Sequence, residues 1–132
     1  MEKYFVEPDD VETQLFDWGM IKWLSAPKVT GAKKFSAGIV LLKPGKGHTT
    51  HDHPGCEEIL YCISGYGKQT VAGEEKELKP GMMVFIPADV PHSTINTGWE
   101  TLKLLAIYDP PGPEEFLKAL PDCKVLPAGE LP

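Results

Sequence analysis

Three histidines and one glutamate have the residue types and spacing suited to binding a divalent metal ion. His51 and His53 are separated by one residue, so on an extended segment both imidazoles point to the same side, roughly 6 to 7 Å apart. Glu58 opens an apolar run and can add a carboxylate oxygen if the intervening residues turn the chain. His92 lies much later in the sequence, and it can approach the other three side chains only if the β-sheet closes on itself. A bare histidine pair is equally typical of solvated or structural residues, so these positions are candidates until the elements around them are considered.

The elements around these residues are predicted to be short β-strands. The 132 residues include 13 glycines and 13 prolines, and from Pro44 onward turn signals recur about every 8 to 12 residues. Such punctuation is typical of a β-sandwich or barrel, and the length fits one domain. Predicted strands cover residues 35–42, 59–64, 68–71, 74–78, 82–86, 93–95 and 101–108, after a strand pair in 11–24 that is broken at Gly19.

One helix is predicted near the C-terminal end of the chain. Pro113 suits the first helical position, Glu114 and Glu115 suit the positive end of the helix dipole, and Pro121 stops the run. Phe116, Leu117 and Leu120 are expected to bury one face of this helix. The tail at 123–132 is predicted to be an extended segment on the surface.

The spacing of these residues resembles the two motifs of the cupin superfamily. The first motif spans residues 45–65, where Gly45, His51, His53, Glu58 and Gly65 are separated by five, one, four and six residues. The second spans 81–96, where Gly81, Pro87, His92 and Asn96 are separated by five, four and three residues, and 15 residues lie between Gly65 and Gly81. The resemblance implies a single domain over 1–132 with an all-β fold, an antiparallel double-stranded β-helix (the cupin or jelly-roll barrel) with one short C-terminal helix. One departure is Asp89, where the family usually has glycine; aspartate tolerates positive φ, so the loop is expected to form.

By this resemblance, the metal ligands are His51, His53, Glu58 and His92, held inside one end of the barrel. Glu57 is the rival carboxylate, and Glu58 is preferred because it keeps the spacing to Gly65 and shares strand parity with Leu60 and Cys62. The ion is expected to be Mn, Fe, Ni, Co, Cu or Zn, because ligand type does not choose among them. His48 has no place in the motif and is interpreted as a solvated loop histidine. The catalytic residues are not assigned.

Three functions are compatible with such a centre. Four protein ligands leave two positions of an octahedral ion open, as in a reaction centre. The preferred hypothesis is an enzyme that uses Lewis-acid catalysis on a sugar, sugar acid or keto acid, as in isomerisation, epimerisation or ring opening. The alternatives are a metal-dependent dioxygenase and a non-catalytic small-molecule binding or sensing cupin.

The net charge, the cysteine content and the N-terminal residues limit the partners, the thiol state and the location that we expect. The net charge of −6 does not indicate the basic surface that binding to nucleic acid or to an anionic membrane requires. The three cysteines show no Cys-x-x-Cys spacing, so reduced thiols are expected, with Cys62 a small core residue. Residues 1–6 are not followed by a long apolar run, so no secretory signal is predicted and a cytoplasmic location is expected. The partner is therefore expected to be a small-molecule substrate.

The large apolar side chains are interpreted as core or interface residues rather than as a ligand cage. These are Trp18, Trp23, Phe35, Tyr61, Phe85 and Trp99. Trp18, Ile21, Trp23 and Leu24 lie upstream of the minimal barrel, and they predict a homodimer formed through the N-terminal strands at 11–24. The alternative is that this segment folds back over its own barrel.

Overall fold

The computed structural model describes residues 3–48 and 53–132, and two antiparallel sheets dominate it. The strands are β1 (Thr13–Phe16), β2 (Gly19–Ser25), β3 (Ser36–Leu42), β4 (Glu57–Ser64), β5 (Gly67–Val71), β6 (Glu74–Leu78), β7 (Met83–Ile86), β8 (His92–Asn96), β9 (Leu102–Asp109) and β10 (Lys124–Leu126). A 3-10 turn covers Pro8–Asp10, and helix α1 covers Pro113–Lys118. The all-β barrel with one short C-terminal α-helix is confirmed among these residues.

The sheet order brings distant parts of the chain together. The seven-stranded sheet runs β10-β1-β2-β3-β9-β4-β7, and the three-stranded sheet runs β6-β5-β8. Alternate residues of each strand point between the two sheets, where they form one core. Its members include Phe16, Ile21, Trp23, Val40, Leu42, Leu60, Cys62, Leu78, Ile86, Leu102, Leu104, Ala106 and Tyr108. The inward-facing residues of β4 and β8 therefore approach each other across the barrel.

The N-terminal strand pair forms as predicted and turns just before Gly19. Gly19 has φ +154°, and a Cβ at this position would lie 1.8 Å from the Leu41 carbonyl oxygen, so only glycine fits. The expected exposed patch on these strands does not form. Ile21 and Trp23 are only 3% and 6% exposed because their side chains lie on the inward face of β2 and pack in the core of their own barrel. These two side chains pack as in the alternative, in which the segment folds back over its own barrel, and the homodimer through residues 11–24 stays a prediction.

Two details of the C-terminal region differ from the expectation. Within the tail, Lys124–Leu126 pairs with β1 as an edge strand, because the chain returns across the sheet after α1. Helix α1 begins at Pro113 as predicted, but Phe116 is 64% exposed while Leu117 and Leu120 pack against the core. A helix of this length has only one narrow face to bury. No helix within the described ranges is long and apolar enough to span a membrane.

The cysteines behave as structural residues. Cys56 and Cys62 are buried free cysteines, and the burial of Cys62 confirms its expected place in the core. Burial, with the negative charge of Glu58 as a smaller contribution, raises the pKa of the Cys56 thiol to about 11. Burial also raises the pKa of Cys62. Both thiols are therefore neutral near pH 7 and poor nucleophiles.

Candidate metal centre and cavity

Three of the predicted ligands meet inside one end of the barrel. His53 lies in the loop before β4, Glu58 is the second residue of β4, and His92 is the first residue of β8. Glu58 Oε1 lies 3.5 Å from His53 Nε2 and 3.2 Å from His92 Nε2. One donor atom from each residue lies within 4.8 Å of the other two, and this group could hold a metal ion. His51, the fourth predicted ligand, lies outside the described residues.

The strand parity of β4 selects Glu58 over Glu57. Glu58 is 3% exposed and points inward with Leu60 and Cys62, while Glu57 is exposed on the other face. The inward direction of the Glu58 side chain confirms the expectation from the alternation of side chains along a strand. Burial of a carboxylate among apolar strands is costly unless cations, metal ions or hydrogen-bond donors face it.

Hydrogen bonds fix the orientation of the histidines. His92 Nδ1 lies 2.9 Å from the Val90 carbonyl oxygen, so in the tautomer that donates this bond, Nε2 carries the lone pair that faces Glu58. The His53 carbonyl oxygen accepts from the Cys56 and Asp89 amides at 3.1 and 3.4 Å. Both imidazoles are thereby directed at the same point.

Asp89, the one departure from the family pattern, adopts the expected conformation. Its φ is +65°, in the region that glycine would otherwise occupy. The Asp89 carboxylate also accepts a 3.0 Å hydrogen bond from the Gly55 amide. It therefore ties the loop that carries His53 to the loop that precedes His92, which a glycine side chain cannot do.

The donor atoms fit a divalent ion. Glu58 Oε1 is buried and accepts no hydrogen bond from any described residue. Two imidazole nitrogens and one carboxylate oxygen are ligands typical of Mn, Fe, Co, Ni, Cu and Zn. A cation between these atoms would offset the cost of burying the carboxylate. The residues present therefore fit the metal that the motif implies, although the identity of the metal is open.

Tyr108 is a member of this site that the sequence analysis did not identify. It lies close enough to Glu58 to interact with the carboxylate electrostatically, and its ring meets His53 edge to face, with centroids 5.1 Å apart. Burial, reinforced by the Glu58 charge, raises the pKa of Tyr108 well above its ordinary value, so the hydroxyl keeps its proton. The signal available in the sequence was parity, because Tyr108 shares the inward face of β9 with Leu104 and Ala106.

A cavity of about 440 Å³ opens from the His53, Glu58 and His92 side chains toward solvent. Its walls are mainly apolar and come from β1 to β4, the turn between β1 and β2, β9, and helix α1 with the residues just after it: Phe16, Trp18, Ile21, Val40, Leu60, Leu104, Phe116, Leu117 and Leu120. The Phe16 and Trp18 rings stack 4.7 Å apart at an interplanar angle of 6°. Asp17 and Asp122 are the carboxylates of the lining outside the metal site, and both are exposed. The described lining includes no lysine, and the sequence has no arginine.

The cavity adds contacts to two of the residues interpreted from the sequence. His48 lies in a loop, as expected, but it is half-buried in the cavity wall, where its ring meets Trp18 edge to face with centroids 4.3 Å apart. Its backbone amide also donates to the Thr94 carbonyl oxygen at 3.0 Å, which holds the segment after β3 against β8. Trp18 likewise lines the cavity and is not only a core residue. Neither placement follows from spacing, because both depend on the turn between β1 and β2.

A larger groove of about 530 Å³ lies elsewhere, between the N-terminal segment and α1. Its lysines form ion pairs at its walls, as in Lys28 with Glu115 at 2.8 Å and Lys118 with Glu12 at 2.9 Å. It contains none of the three metal-site side chains. The smaller cavity is therefore the candidate functional site.

The carboxylate assignment gives a direct test. Glu58→Gln should reduce metal occupancy strongly, because the neutral amide is a poorer ligand and removes the negative charge beside two imidazoles. Glu57→Gln is the matched control, an identical change on the exposed face of the same strand. Metal content after dialysis measures both. A larger loss in Glu57→Gln than in Glu58→Gln would show that the carboxylate is wrongly assigned.

Comparison with known proteins agrees with the barrel fold. The sequence is 32% identical over 104 residues to an uncharacterised protein of Methanocaldococcus jannaschii, MJ1618, covering 79% of this chain and 83% of that protein. It is 26% identical over 117 residues to the polyketide synthase CurC of Streptomyces cyaneus, covering 89% and 76% of the two chains. The structure of KdgF from Halomonas sp. superposes with a TM-score of 0.75 at 18% identity, covering 86% of this chain and 98% of that one. Residues 38–108 match the Cupin domain family, and since they form more than half of the sequence, the chain belongs to this family.

Proposed function

We propose that this cupin is a metal-dependent enzyme that acts on a largely apolar keto compound by Lewis-acid catalysis. The observation that carries the proposal is the position of His53, Glu58 and His92 at the inner end of a cavity with apolar and aromatic walls. A divalent ion held by these residues, and by His51 on the family resemblance, would supply polarisation of a substrate carbonyl oxygen.

The walls of the cavity favour a ring-sized apolar group over a sugar. A sugar needs hydrogen-bond partners for most of its hydroxyl groups, because a buried polar group without a partner is costly. Outside the metal site, the polar side chains of the described lining are Asp17, His48, Thr94 and Asp122. The Thr94 hydroxyl already donates to Gln69 Oε1. The stacked Phe16 and Trp18 rings, in contrast, offer a flat surface for an aromatic or conjugated ring.

The charge of the cavity disfavours phosphorylated and multiply charged substrates. Phosphate recognition in proteins usually depends on arginine, lysine or a helix N-terminus. The described lining has neither basic residue, and Asp17 and Asp122 would repel an anion. A keto acid could place its single carboxylate and neighbouring carbonyl at the metal centre. Among the substrate types considered from the sequence, a keto compound is therefore preferred to a sugar or sugar acid.

The chain's own residues would bind and orient such a substrate. The Val90 carbonyl oxygen orients His92, and the Tyr108 ring packs against His53, so two of the groups that face the substrate are preorganised. Leu117 and Leu120 of the α1 region, with Phe16 and Ile21, exclude water from the buried end. Dry surroundings strengthen the electrostatic interactions on which carbonyl polarisation depends. Similarity to CurC, a polyketide synthase by name, supports a keto substrate.

The experiment uses protein purified without added metal. Its metal content is measured first, and turnover of an aromatic 1,3-diketone, an aromatic keto acid and a sugar phosphate is then compared with and without dioxygen. We expect turnover of a keto compound that does not depend on dioxygen and is lost after chelation. Dioxygen consumption coupled to turnover would replace the proposal with the dioxygenase, and binding of a keto compound without any turnover would replace it with the binding module.

A further inference from the structure

His48 lies on the wall of the cavity that contains the candidate metal centre. Gly47 forms a bridge with Ile95 of β8, and the His48 amide donates a 3.0 Å hydrogen bond to the Thr94 carbonyl oxygen. Thr94 is 2% exposed and lines the cavity, as His48 does. Thr94 follows His92 by two positions on the same face of β8, so these two residues are roughly 6 to 7 Å apart along the strand. The His48 imidazole therefore faces the cavity about one row of residues from His92, a gap that a small substrate can bridge.

An aromatic contact orients the His48 ring. It meets Trp18 edge to face, with centroids 4.3 Å apart and an interplanar angle of 81°. Trp18 is in turn stacked on Phe16. The His48 side chain is half-buried, so the backbone bond to β8 and the Trp18 contact together fix its place in the wall. His48 thus borders the flat aromatic surface that the proposed function assigns to the substrate ring.

Lewis-acid catalysis on a keto compound needs a group that moves a proton. Isomerisation or epimerisation beside a carbonyl begins with removal of a proton from the neighbouring carbon. A side chain that does this efficiently takes up and releases a proton near the working pH, and it reaches the reacting carbon inside the cavity. Imidazole is the side chain whose ordinary pKa lies nearest to neutral pH. A histidine in the wall that does not bind the metal therefore meets both conditions.

The side chains at the metal site do not meet both conditions. His53, Glu58 and His92 direct one donor atom each at a common point, where they would bind the ion. Tyr108 contacts His53 with its ring, and a phenol keeps its proton near neutral pH, so Tyr108 cannot serve as the base. None of these four side chains is therefore suited to take a proton from a substrate.

The remaining polar side chains of the described lining do not meet both conditions either. Asp17 and Asp122 are exposed, and Asp17 Oδ2 lies 3.9 Å from Lys46 Nζ. Carboxylates in water are weak bases, because they hold a proton only in acid. The Thr94 hydroxyl already donates to a neighbouring amide oxygen, and a hydroxyl is not a base near neutral pH. Among the lining residues that the structure describes, proton transfer is therefore left to His48.

We propose that His48 is a catalytic residue that transfers a proton from and to the carbon next to the substrate carbonyl. In the first step the C–H bond breaks, the imidazole takes the proton, and the C–H electron pair forms a carbon–carbon double bond. The carbonyl oxygen takes the negative charge. Return of a proton from the imidazolium to carbon reverses these changes, so no oxidant, reductant or other co-reactant is consumed. The inference rests on the proposed function, because it names the base that this chemistry requires.

The test follows deuterium uptake by the methylene group of phenylpyruvate, an aromatic keto acid, in deuterated water. Mass spectrometry measures the uptake with protein that carries the metal found on purification, and the spontaneous exchange is subtracted. His48→Gln should slow the protein-dependent exchange at least about 100-fold, the lower end of what a positioned acid–base group contributes. Asp122→Asn, which replaces another titratable side chain of the same cavity by an amide, is the matched control and should stay within about twofold of the wild type.

Two further measurements separate proton transfer from a structural role. His48→Gln should keep the metal content and the Kd for phenylpyruvate within about twofold of the wild type, because His48 is not one of the three donor residues. His48→Glu introduces a side chain of the same shape as glutamine but with a carboxylate that can act as a base, so it should recover part of the exchange rate. Equal loss of exchange in both variants, with a raised Kd in both, would show a structural role and overturn the proposal.

Chelation of the metal separates this inference from the proposed function. Exchange that is lost on chelation but persists in His48→Gln would overturn the role of His48 and leave the proposed function in place. Exchange that persists after chelation but is lost in His48→Gln would support the role of His48 and contradict the metal-dependent function. Loss of exchange in Asp122→Asn instead of His48→Gln would assign the proton transfer to Asp122. A wild-type protein that causes no exchange above the spontaneous rate would overturn both proposals.

Discussion

Alanine at His53 or at His92 should abolish metal binding under conditions in which the wild-type protein binds one ion per chain. Each change removes one donor nitrogen from a group whose donor atoms lie within 4.8 Å of one another. Fewer ligands then remain to hold an ion beside Glu58. Because changes to residues that only support a ligand typically cost about 10- to 100-fold in metal affinity, loss of a ligand should cost at least about 100-fold. Competition with a coloured chelator measures the affinity, and elemental analysis measures the occupancy.

Two further variants show how much metal affinity is lost when no ligand is removed. Glu57→Gln should bind metal like the wild type, because its side chain lies on the exposed face of β4. Tyr108→Phe should bind metal with an affinity between these two, about 10-fold weaker than the wild type, because it removes only the hydroxyl dipole near Glu58 and keeps the ring against His53. Full occupancy in both histidine variants would refute the assignment. Equal losses in Tyr108→Phe and the histidine variants would indicate general damage to the barrel instead of loss of a donor.

The part of the site that the sequence predicted depends on local geometry and family spacing. Glu58 could be chosen over Glu57 because side chains alternate along a strand whatever the strand pairs with. The positive φ of Asp89 followed from the loop and the tolerance of aspartate for that region. Convergence of His53 with His92, 39 positions apart by their numbering, could not follow from either local rule, and only the family resemblance predicted it.

The residues that the sequence analysis missed are those placed by contacts distant in sequence. Trp18 and His48 meet because the turn before β2 lies beside the segment after β3, and nothing in their spacing indicates this. Tyr108 reaches Glu58 through the pairing of β9 with β4. Misreading Ile21 and Trp23 as an exposed patch has the same cause, because an apolar strand has one sequence pattern whether it packs on its own core or on a partner. Burial of Ile21 and Trp23 in the core of their own chain shows where this face of β2 packs.

The cavity wall itself can be tested at Trp18. Trp18→Ala should weaken binding of an aromatic keto compound by about 10- to 100-fold, because burying a large side chain against a ligand contributes about 1.5 to 3 kcal/mol and each 1.4 kcal/mol is tenfold. The effect should appear in Kd or KM. Metal affinity should remain unchanged, because Trp18 is not one of the three donor residues.

The matched control for this change is Trp99→Ala. Trp99 is 87% exposed in the turn between β8 and β9 and does not line the cavity, so the same substitution there should leave ligand affinity within about twofold, as for an ordinary surface change. Titration of each variant loaded with the same metal compares them directly, with a sugar phosphate as a second ligand. If Trp18→Ala bound the aromatic compound as tightly as Trp99→Ala does, the stacked wall would not be a recognition surface. If the sugar phosphate bound more tightly than the aromatic compound in the wild type, the apolar character of the cavity would not select the substrate, and the keto compound would have to be abandoned as the preferred class.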